Sequence, residues 1–438
     1  MSSTKFVDHA APVQGAVVIH PDRDSHASRG AEARLDEAVG LALALDLEVR
    51  ERIIAPIRRL TPATLFGSGK VEEIRLIIEL ADASVAVIDD ALTPVQQRNL
   101  EKAWGVKVID RTGLILEIFA LRARTREGRL QVELARLSYE KSRLVRTWTH
   151  LERQRGGFGV MGGPGETQIE TDRRLIAEKI RKLKDELKEV RRTRTLQRSS
   201  RKRVPYPTVA LVGYTNAGKS TLFNRLTQSE VVAEDMLFAT LDPTLRALKL
   251  PDGRPAILSD TVGFISDLPH ELVEAFRATL EEVKEADVVL HVRDIASEET
   301  NAQAGDVRKV LERLGVDMDE RRILEVWNKI DLLPIDDRPI VEGDARRAHP
   351  PAIPVSAVTG EGCDALLSAV AGLVDEAPAV DVFAPAGEGA AIAWLYRHGR
   401  VIERHAGKDG SVRLAVSLSP QALGQFEQLF PTSEIRAH

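Results

Sequence analysis

The chain has 438 residues, 43% of them hydrophobic and 29% charged, and its formal net charge is −5. A chain of this length predicts about two to four domains, its composition excludes a wholly disordered protein, and its slight acidity excludes nucleic-acid binding driven by overall charge. The single cysteine, Cys363, excludes an intramolecular disulfide and a cysteine zinc cluster and fits a reducing compartment. The N-terminus has no apolar signal-peptide core, and no stretch approaches the roughly 18 apolar residues of a membrane span, so we expect a cytoplasmic protein without integral membrane segments.

Strands and helices alternate in the first part of the chain. Apolar runs of strand length are separated by segments with helical apolar spacing, a pattern typical of a parallel sheet. We therefore predict a small parallel α/β domain over residues 1–112. The predicted strands cover 16–20, 48–57, 84–88 and 106–109, and the predicted helices 31–45, 71–80 and 94–104.

The character changes over residues 113–203. Leucines and isoleucines at helical intervals predict one long helix over 113–150 and a second over 166–200, separated by a glycine-rich break, RGGFGVMGGPG. Two long helices around a short break predict an antiparallel hairpin with a glycine-rich tip. A coiled-coil spacer is the alternative interpretation.

A phosphate-binding loop follows. Residues 213–220 have the pattern G-x-x-x-x-G-K-S, between an apolar strand (208–212) and a predicted helix. The glycines allow backbone N–H groups to surround a β-phosphate, and the helix N-terminus favours the same anion. Lys219 would neutralise phosphate oxygens, and Ser220 would offer a hydroxyl to Mg²⁺. The shorter GSGK at 67–70 lacks such a hydroxyl, and we interpret it as a turn into a helix.

Two further motifs predict a γ-phosphate sensor. Asp260-Thr-Val-Gly263 follows an apolar strand, so Asp260 could hold Mg²⁺ through water and the Gly263 amide could reach the γ-phosphate. The segment FATLDPT (238–244) lies between this motif and the phosphate loop. It contains two candidate Mg²⁺ ligands, Thr240 and Thr244.

The base is predicted to be guanine. In Asn328-Lys-Ile-Asp331 the Asp331 carboxylate can accept two hydrogen bonds from guanine, whereas adenine would leave it unpaired. Asn328 could bond the other purine edge, and the Lys329 stem could cover the ring. A backbone N–H of Ser356-Ala357-Val358 could donate to guanine O6.

The residue after Gly263 is Phe264, where Ras-type GTPases carry the glutamine that orients the attacking water. Phenylalanine cannot do this, so we predict slow intrinsic hydrolysis that a partner accelerates. The alternative is that another side chain or the backbone positions the water.

The second hairpin helix concentrates positive charge in an acidic protein, which favours contact with RNA phosphates over a merely solvated helix face. The glycine-rich tip could enter an RNA cavity. The RNA-contact candidates are Gly156, Gly157, Phe158, Gly159, Met161, Arg173, Arg174, Arg181 and Lys182.

These motifs, with the segments GGFGVMGGPGETQIETDRR (156–174) and LFGSGK (65–70), resemble the HflX family of translational GTPases over nearly the whole chain. The resemblance implies that Thr240, with Ser220, binds Mg²⁺. It also implies binding to the large ribosomal subunit and its RNA, and ribosome splitting or rescue under stress. Family members are mainly cytoplasmic, with an occasional peripheral membrane-associated fraction, and we expect a monomer.

The sequence thus predicts a multidomain α/β protein with an N-terminal α/β domain (1–112), a helical hairpin (113–203), a Ras-like P-loop GTPase domain (204–375) and a small C-terminal α/β domain (391–438). The last domain is predicted as strand (AIAWLYRH), strand and helix after a linker at 376–390. The predicted catalytic residues are Lys219, Thr240 and Gly263. The predicted contacts with GTP or GDP are Gly213, Tyr214, Thr215, Asn216, Ala217, Gly218, Lys219, Ser220, Thr221, Phe238, Ala239, Thr240, Leu241, Asp242, Asp260, Thr261, Val262, Gly263, Asn328, Lys329, Ile330, Asp331, Ser356, Ala357 and Val358.

Two other functions fit parts of the pattern. An RNA-remodelling ATPase would use the N-terminal half, although no adenine-nucleotide motif supports it. A GTP-gated adaptor would recruit a protein partner and barely hydrolyse GTP.

Overall fold

The protein is described by a computed structural model that covers residues 14–23, 29–154, 164–201, 206–228, 237–238, 241, 244–267, 272, 283–313, 315–316, 322–374, 379–407, 410–418 and 420–437. The chain forms two compact units, Met1–Arg246 with Ile257–Glu361, and Ala247–Ala256 with Gly362–His438.

The first part of the chain folds as the predicted parallel α/β layer. Its four strands lie in the order β2-β1-β3-β4, all parallel. Because side chains alternate across a strand, Val18 packs with α1 and α4 on one face, while Ile19 packs with α2 and α3 on the other. The elements are β1 (Gly15–Asp22), α1 (Ala31–Leu43), β2 (Glu48–Pro56), α2 (Ser68–Leu80), β3 (Val85–Ile88), α3 (Pro94–Trp104), β4 (Lys107–Asp110) and α4 (Arg111–Arg122).

The single helix predicted over 113–150 is wrong. The chain forms α4 and then a separate helix, α5 (Arg126–Gln154), because Ala123 adopts an extended conformation with ψ 104°. The Thr125 hydroxyl accepts a hydrogen bond from the Gly128 N–H at 2.9 Å and caps the new helix. Helix α4 therefore packs on the N-terminal sheet, with Leu114, Ile118 and Phe119 in its core.

The helical hairpin is antiparallel, as predicted. Helix α5 contacts α6 (Pro164–Arg201). The guanidinium of Arg126, at the start of α5, lies 4.0 Å from the carboxylate of Glu186 in the C-terminal half of α6. The predicted glycine-rich tip, residues 155–163, lies outside the described residues.

The predicted Ras-like sheet has six strands in the order β10-β9-β8-β5-β7-β6. The pairs joining β7, β5, β8, β9 and β10 are parallel, so the carboxyl ends of these strands share one edge, where α/β folds place their ligands. The elements are β5 (Thr208–Gly213), α7 (Lys219–Thr227), β6 (Thr244–Lys249), β7 (Pro255–Asp260), β8 (Val288–Asp294), α8 (Thr300–Arg313), β9 (Arg322–Asn328), α9 (Arg338–Arg347), β10 (Ala352–Pro354) and α10 (Cys363–Val374).

The C-terminal segment forms an antiparallel sheet in the order β12-β13-β11-β14, covered by two helices. The strand predicted for AIAWLYRH is wrong, since this stretch lies in helix α11. The linker predicted at 376–390 contains a strand, β11. The elements are β11 (Ala379–Ala384), α11 (Gly389–His398), β12 (Arg400–Ala406), β13 (Val412–Ser417), α12 (Pro420–Leu429) and β14 (Glu434–Ala437).

Candidate nucleotide site

The phosphate loop leaves β5 through a turn that excludes side chains at two positions. A Cβ on Gly213 would lie 2.2 Å from the Val292 carbonyl oxygen, and a Cβ on Gly218 would lie 2.3 Å from Asn328 Nδ2. Gly218 has φ +85°, in the left-handed region, and α7 begins at the next residue. The loop thus brings backbone N–H groups and a helix N-terminus to one place, as an anion site requires.

Lys219 is buried beneath this loop. Its ammonium group donates to the Tyr214 carbonyl oxygen at 2.7 Å. Burial lowers the pKa of Lys219 to about 8, and the nearby Asp260 carboxylate only partly offsets that effect. A poorly solvated cation held by one neutral carbonyl favours an incoming phosphate.

The residues present fit a Mg²⁺ site. The Ser220 hydroxyl donates to Asp260 Oδ2 at 2.8 Å, and the Asp260 side chain is fully buried at the end of β7. A hydroxyl and a carboxylate at this spacing supply the oxygen ligands that Mg²⁺ prefers. The predicted third participant, Thr240, lies outside the described residues, as do Ala239 and Asp242.

The DTVG motif lies directly against the phosphate loop. The Thr215 N–H donates to the Phe264 carbonyl oxygen at 2.7 Å, and the Phe264 N–H donates to Gly213 at 3.1 Å. A Cβ on Gly263 would lie 2.9 Å from Thr215 Cγ2 and 3.1 Å from Lys219 Nζ, so only glycine allows this approach. The Gly263 backbone therefore borders the place where Lys219 would meet a γ-phosphate.

Phe264 is 2% exposed and packs in the hydrophobic core. Its ring therefore has a structural role, and a hydrocarbon ring carries no hydrogen-bonding group that could orient water. Thr261 is also structural, because its hydroxyl donates to the Leu211 carbonyl oxygen at 2.6 Å. Two other predicted contacts, Phe238 and Leu241, have buried side chains, and the Phe238 ring lies edge-on to Phe119 with centroids 4.6 Å apart.

The base end of the site is organised by Asn328. Its Nδ2 donates to the Ala217 carbonyl oxygen at 2.9 Å, and its Oδ1 accepts from the Ala357 N–H at 3.0 Å. Asn328 thus ties the phosphate loop to the Ser356-Ala357 segment. Lys329 has φ +67° and pairs with Asp294 at 2.8 Å, which holds the stem of its side chain in place.

Asp331 presents an oxygen that lacks a partner. Its Oδ1 is buried and has no hydrogen-bond partner among the described residues. A buried carboxylate oxygen without a donor is costly, so a ligand with N–H groups is favoured there. Guanine offers a ring N–H and an exocyclic amine on one edge.

The structure reduces the number of backbone N–H groups that could donate to guanine O6. The Ala357 N–H is bonded to Asn328, and Arg225 donates to the carbonyl oxygens of Ala357 and Val358. Val358 is 64% exposed, and its N–H donates no hydrogen bond within the described part of the chain. Of the three predicted donors, the Val358 N–H is therefore the one that donates no hydrogen bond among the described residues.

Sequence reasoning missed two features of this site. The first is that Asn328 bridges Ala217 and Ala357, because the sequence does not show that these two residues lie on either side of it. The second is that the Tyr214 side chain leaves the pocket and bonds Glu37 of the N-terminal layer. No local sequence signal connects those two residues.

Four family models match successive parts of the chain. Residues 32–120 match the GTP-binding GTPase N-terminal model, and residues 122–201 match the GTP-binding GTPase Middle Region. Residues 208–329 match the 50S ribosome-binding GTPase model, and residues 340–433 match the HflX C-terminal domain.

Curated proteins with similar sequences point to the same family as these models. The GTPase HflX of Magnetococcus marinus is 55% identical over 394 residues, which cover 90% of each chain. This chain belongs to the GTPase HflX family. The GTPase HflX of Escherichia coli is 45% identical and covers 88% of this chain and 89% of its own.

A solved GTP-binding protein from Sulfolobus solfataricus, in complex with GDP, is 25% identical to this member of the HflX family. It covers 83% of this chain and 99% of its own, with a TM-score of 0.44. The family assignment rests on the sequence matches. The chain is accordingly a P-loop GTPase that binds and hydrolyses GTP.

The RNA-contact candidates on α6 are exposed where they are described. Arg173, Arg174, Arg181 and Lys182 all face solvent. The tip candidates Gly156, Gly157, Phe158, Gly159 and Met161 lie outside the described residues. Within the described helices, none is both long and apolar enough to cross a bilayer.

Proposed function

We propose that this HflX-family GTPase binds the large ribosomal subunit and its RNA in the GTP-bound state and leaves after hydrolysis, acting in ribosome splitting or rescue under stress. The supporting observation is that one chain combines a guanine pocket and an exposed basic face on α6. At the base end of the pocket, an Asp331 oxygen has no hydrogen-bond partner among the residues that the structure describes. The match to a ribosome-binding GTPase model supports the choice of partner.

In the proposed GTP complex, Lys219 and the loop N–H groups hold the phosphates, while Ser220 and Asp260 hold Mg²⁺, with Thr240 completing its coordination. The metal would neutralise charge on the β- and γ-phosphate oxygens. The Gly263 N–H would contact the γ-phosphate, so loss of that group would release the following loop. Asp331 would select guanine, and the Val358 N–H would donate to O6.

Intrinsic hydrolysis is proposed to be slow, because the Phe264 side chain is buried and cannot orient water. Docking on the ribosome would rearrange the loops around Gly263 and complete the catalytic geometry. The rate of hydrolysis would then determine how long the protein stays bound to the subunit.

Sedimentation with purified large subunits tests the proposal. We expect the protein to pellet with large subunits in a non-hydrolysable GTP analogue and to stay in the supernatant with GDP. Equal pelleting in both nucleotides, or none in either, would contradict it. Gradient profiles of intact ribosomes incubated with GTP then show whether subunits separate.

The sedimentation assay and an ATP-binding assay distinguish the two other functions from the proposed one. A GTP-gated adaptor for a protein partner would show no nucleotide-dependent pelleting with purified subunits. An ATPase in the N-terminal half would require ATP binding that survives Lys219→Ala in the intact chain.

A further inference from the structure

A buried polar cluster joins the N-terminal layer to the phosphate loop and to the segment after DTVG. We define the Glu37 cluster as Arg29, Glu37, Arg111, Tyr214 and Ser266. The side chains of Arg29, Glu37 and Arg111 are 5%, 6% and 8% exposed. Arg29 precedes α1, Glu37 lies within α1, and Arg111 begins α4. Tyr214 is the second residue of the phosphate loop.

The Tyr214 hydroxyl is the centre of this cluster. It donates to Glu37, and it accepts from Arg29 at 2.9 Å and from the Ser266 N–H at 2.8 Å. Ser266 lies three residues after Gly263 in the chain. One side-chain oxygen therefore fixes the distance between the phosphate loop and the segment that follows the γ-phosphate sensor.

Glu37 holds the other members together. It accepts from Arg29 at 2.6 Å, from Arg111 and from the Ser266 hydroxyl at 3.0 Å. Burial by itself would raise the pKa of Glu37, but the charges of Arg111 and Arg29 and the Tyr214 hydroxyl outweigh it and lower that pKa to about 2. The carboxylate is thus charged at any physiological pH, and a neutral side chain there would leave buried guanidinium groups short of an acceptor.

The cluster contacts the same segment that the nucleotide would contact in the proposed GTP complex. Ser266 and Phe264 are both tied to the loop residues 213–215, and Gly263 approaches Lys219 as part of the same arrangement. When Gly263 is kept beside Lys219, its N–H is held where it can contact a γ-phosphate. GDP has no γ-phosphate, so the same arrangement gives GDP no additional contact.

We propose that Glu37 and Tyr214 are positioning residues that hold the γ-phosphate-sensing segment over the phosphate loop and thereby couple the N-terminal layer to the presence of the γ-phosphate. This proposal rests on guanine-nucleotide binding at the pocket and is independent of the ribosomal role. Because coupling is reciprocal, the γ-phosphate must also stabilise the cluster.

The test is a double-mutant cycle in the full chain with Glu37→Gln and Tyr214→Phe, which preserve size. Fluorescent GDP and a fluorescent non-hydrolysable GTP analogue report the two affinities. We expect each variant to lower the analogue-to-GDP affinity ratio by about fivefold or more, and the double variant to lower it no further than the larger single effect. Glu32→Gln, the same substitution on the exposed side of α1, should leave the ratio at the wild-type value.

A merely structural cluster would weaken both nucleotides equally, so a ratio within about twofold of wild type in both single variants would overturn the proposal. If the variants fail to fold, hydrogen exchange of wild-type α1 decides the question. Slower exchange with the analogue than with GDP supports the coupling, and equal exchange overturns it. Absence of guanine-nucleotide binding by the wild-type chain would instead reject the pocket itself.

Discussion

Among single residues, Lys219 gives a pH-dependent prediction. Its pKa is lowered to about 8 by burial, and phosphate oxygens would raise it again. Binding therefore needs the cation, and nucleotide affinity is full below the lowered pKa and is lost as pH rises through it. We expect GDP affinity to fall about tenfold between roughly pH 7 and 9, measured by calorimetry.

The control for this titration is Lys219→Ala. It removes the phosphate contact, so GTP and GDP should both bind more weakly, and the remaining affinity should no longer depend on pH in this window. A pH dependence unchanged in Lys219→Ala would show that another group is titrating.

Gly218 gives a steric prediction. Its φ of +85° and the 2.3 Å approach of an added Cβ to Asn328 Nδ2 mean that Gly218→Ala must shift the loop or break the Asn328 bridge. We expect nucleotide affinity to fall by about tenfold or more, corresponding to at least ~1.4 kcal/mol. Gly305→Ala is the matched control, because Gly305 lies in α8 and no atom of the described residues lies within 4 Å of an added Cβ. Wild-type affinity in Gly218→Ala would contradict the loop geometry.

The motif residues of the pocket could be predicted because each motif is contiguous and its chemistry is specific. Their mutual contacts could not be predicted. Asn328 is predicted to bond the base, and in addition its amide joins Ala217 to Ala357, residues far away in sequence. That arrangement depends on how three loops meet at the edge of the sheet.

At the scale of elements, periodicity predicted nearly all of the N-terminal layer, but it failed for the short apolar run AIAWLYRH, for the break before α5 and for strand β11. AIAWLYRH forms α11 because Ala391 and Leu395, one turn apart, are buried together, and Trp394 stacks on His398 at 4.1 Å. Eight mostly apolar residues suit either a buried strand or a helix, so tertiary packing decides. The break before α5 was missed because Thr125 caps a helix without interrupting the apolar spacing.

Helix α6 gives a prediction at the same scale. Arg181→Glu with Lys182→Glu should weaken binding to large subunits. It should also reduce the slope of log affinity against log salt concentration by the amount expected for the loss of about two phosphate contacts. Arg346→Glu with Arg347→Glu is the matched control, since it makes the same charge change on exposed positions of α9. The measurement is sedimentation over a salt series in the GTP analogue.

Equal effects of the two pairs would mean that net charge alone matters and that α6 is a solvated face. A loss confined to the α6 pair would support a specific RNA contact.

For the whole molecule, the feature hidden from sequence reasoning is long-range contact. Glu37 and Tyr214 are separated by 177 positions, and neither belongs to a motif that points to the other. The α/β and helical character of successive parts of the chain could be predicted from local sequence patterns. The Glu37 cluster could not, because it depends on the packing of the N-terminal layer against the phosphate loop.

The catalytic proposal makes a prediction for the whole protein. Because Phe264 is buried, purified protein should hydrolyse GTP slowly, and large subunits should raise the multiple-turnover rate by about tenfold or more. Small subunits at equal concentration are the control. A fast rate in the purified protein without ribosomes would show that the chain positions its own water.

The most direct test of the account is the nucleotide preference of Asp331→Asn, measured by calorimetry beside wild type and Asp336→Asn. Wild type and the control should bind GTP far more tightly than ATP or xanthosine triphosphate. Asp331→Asn should lose about tenfold or more in GTP affinity and gain affinity for the xanthine nucleotide, because xanthine supplies an acceptor where guanine has its amine. Wild-type binding of ATP as tight as GTP, or an unchanged preference in Asp331→Asn, would contradict the account.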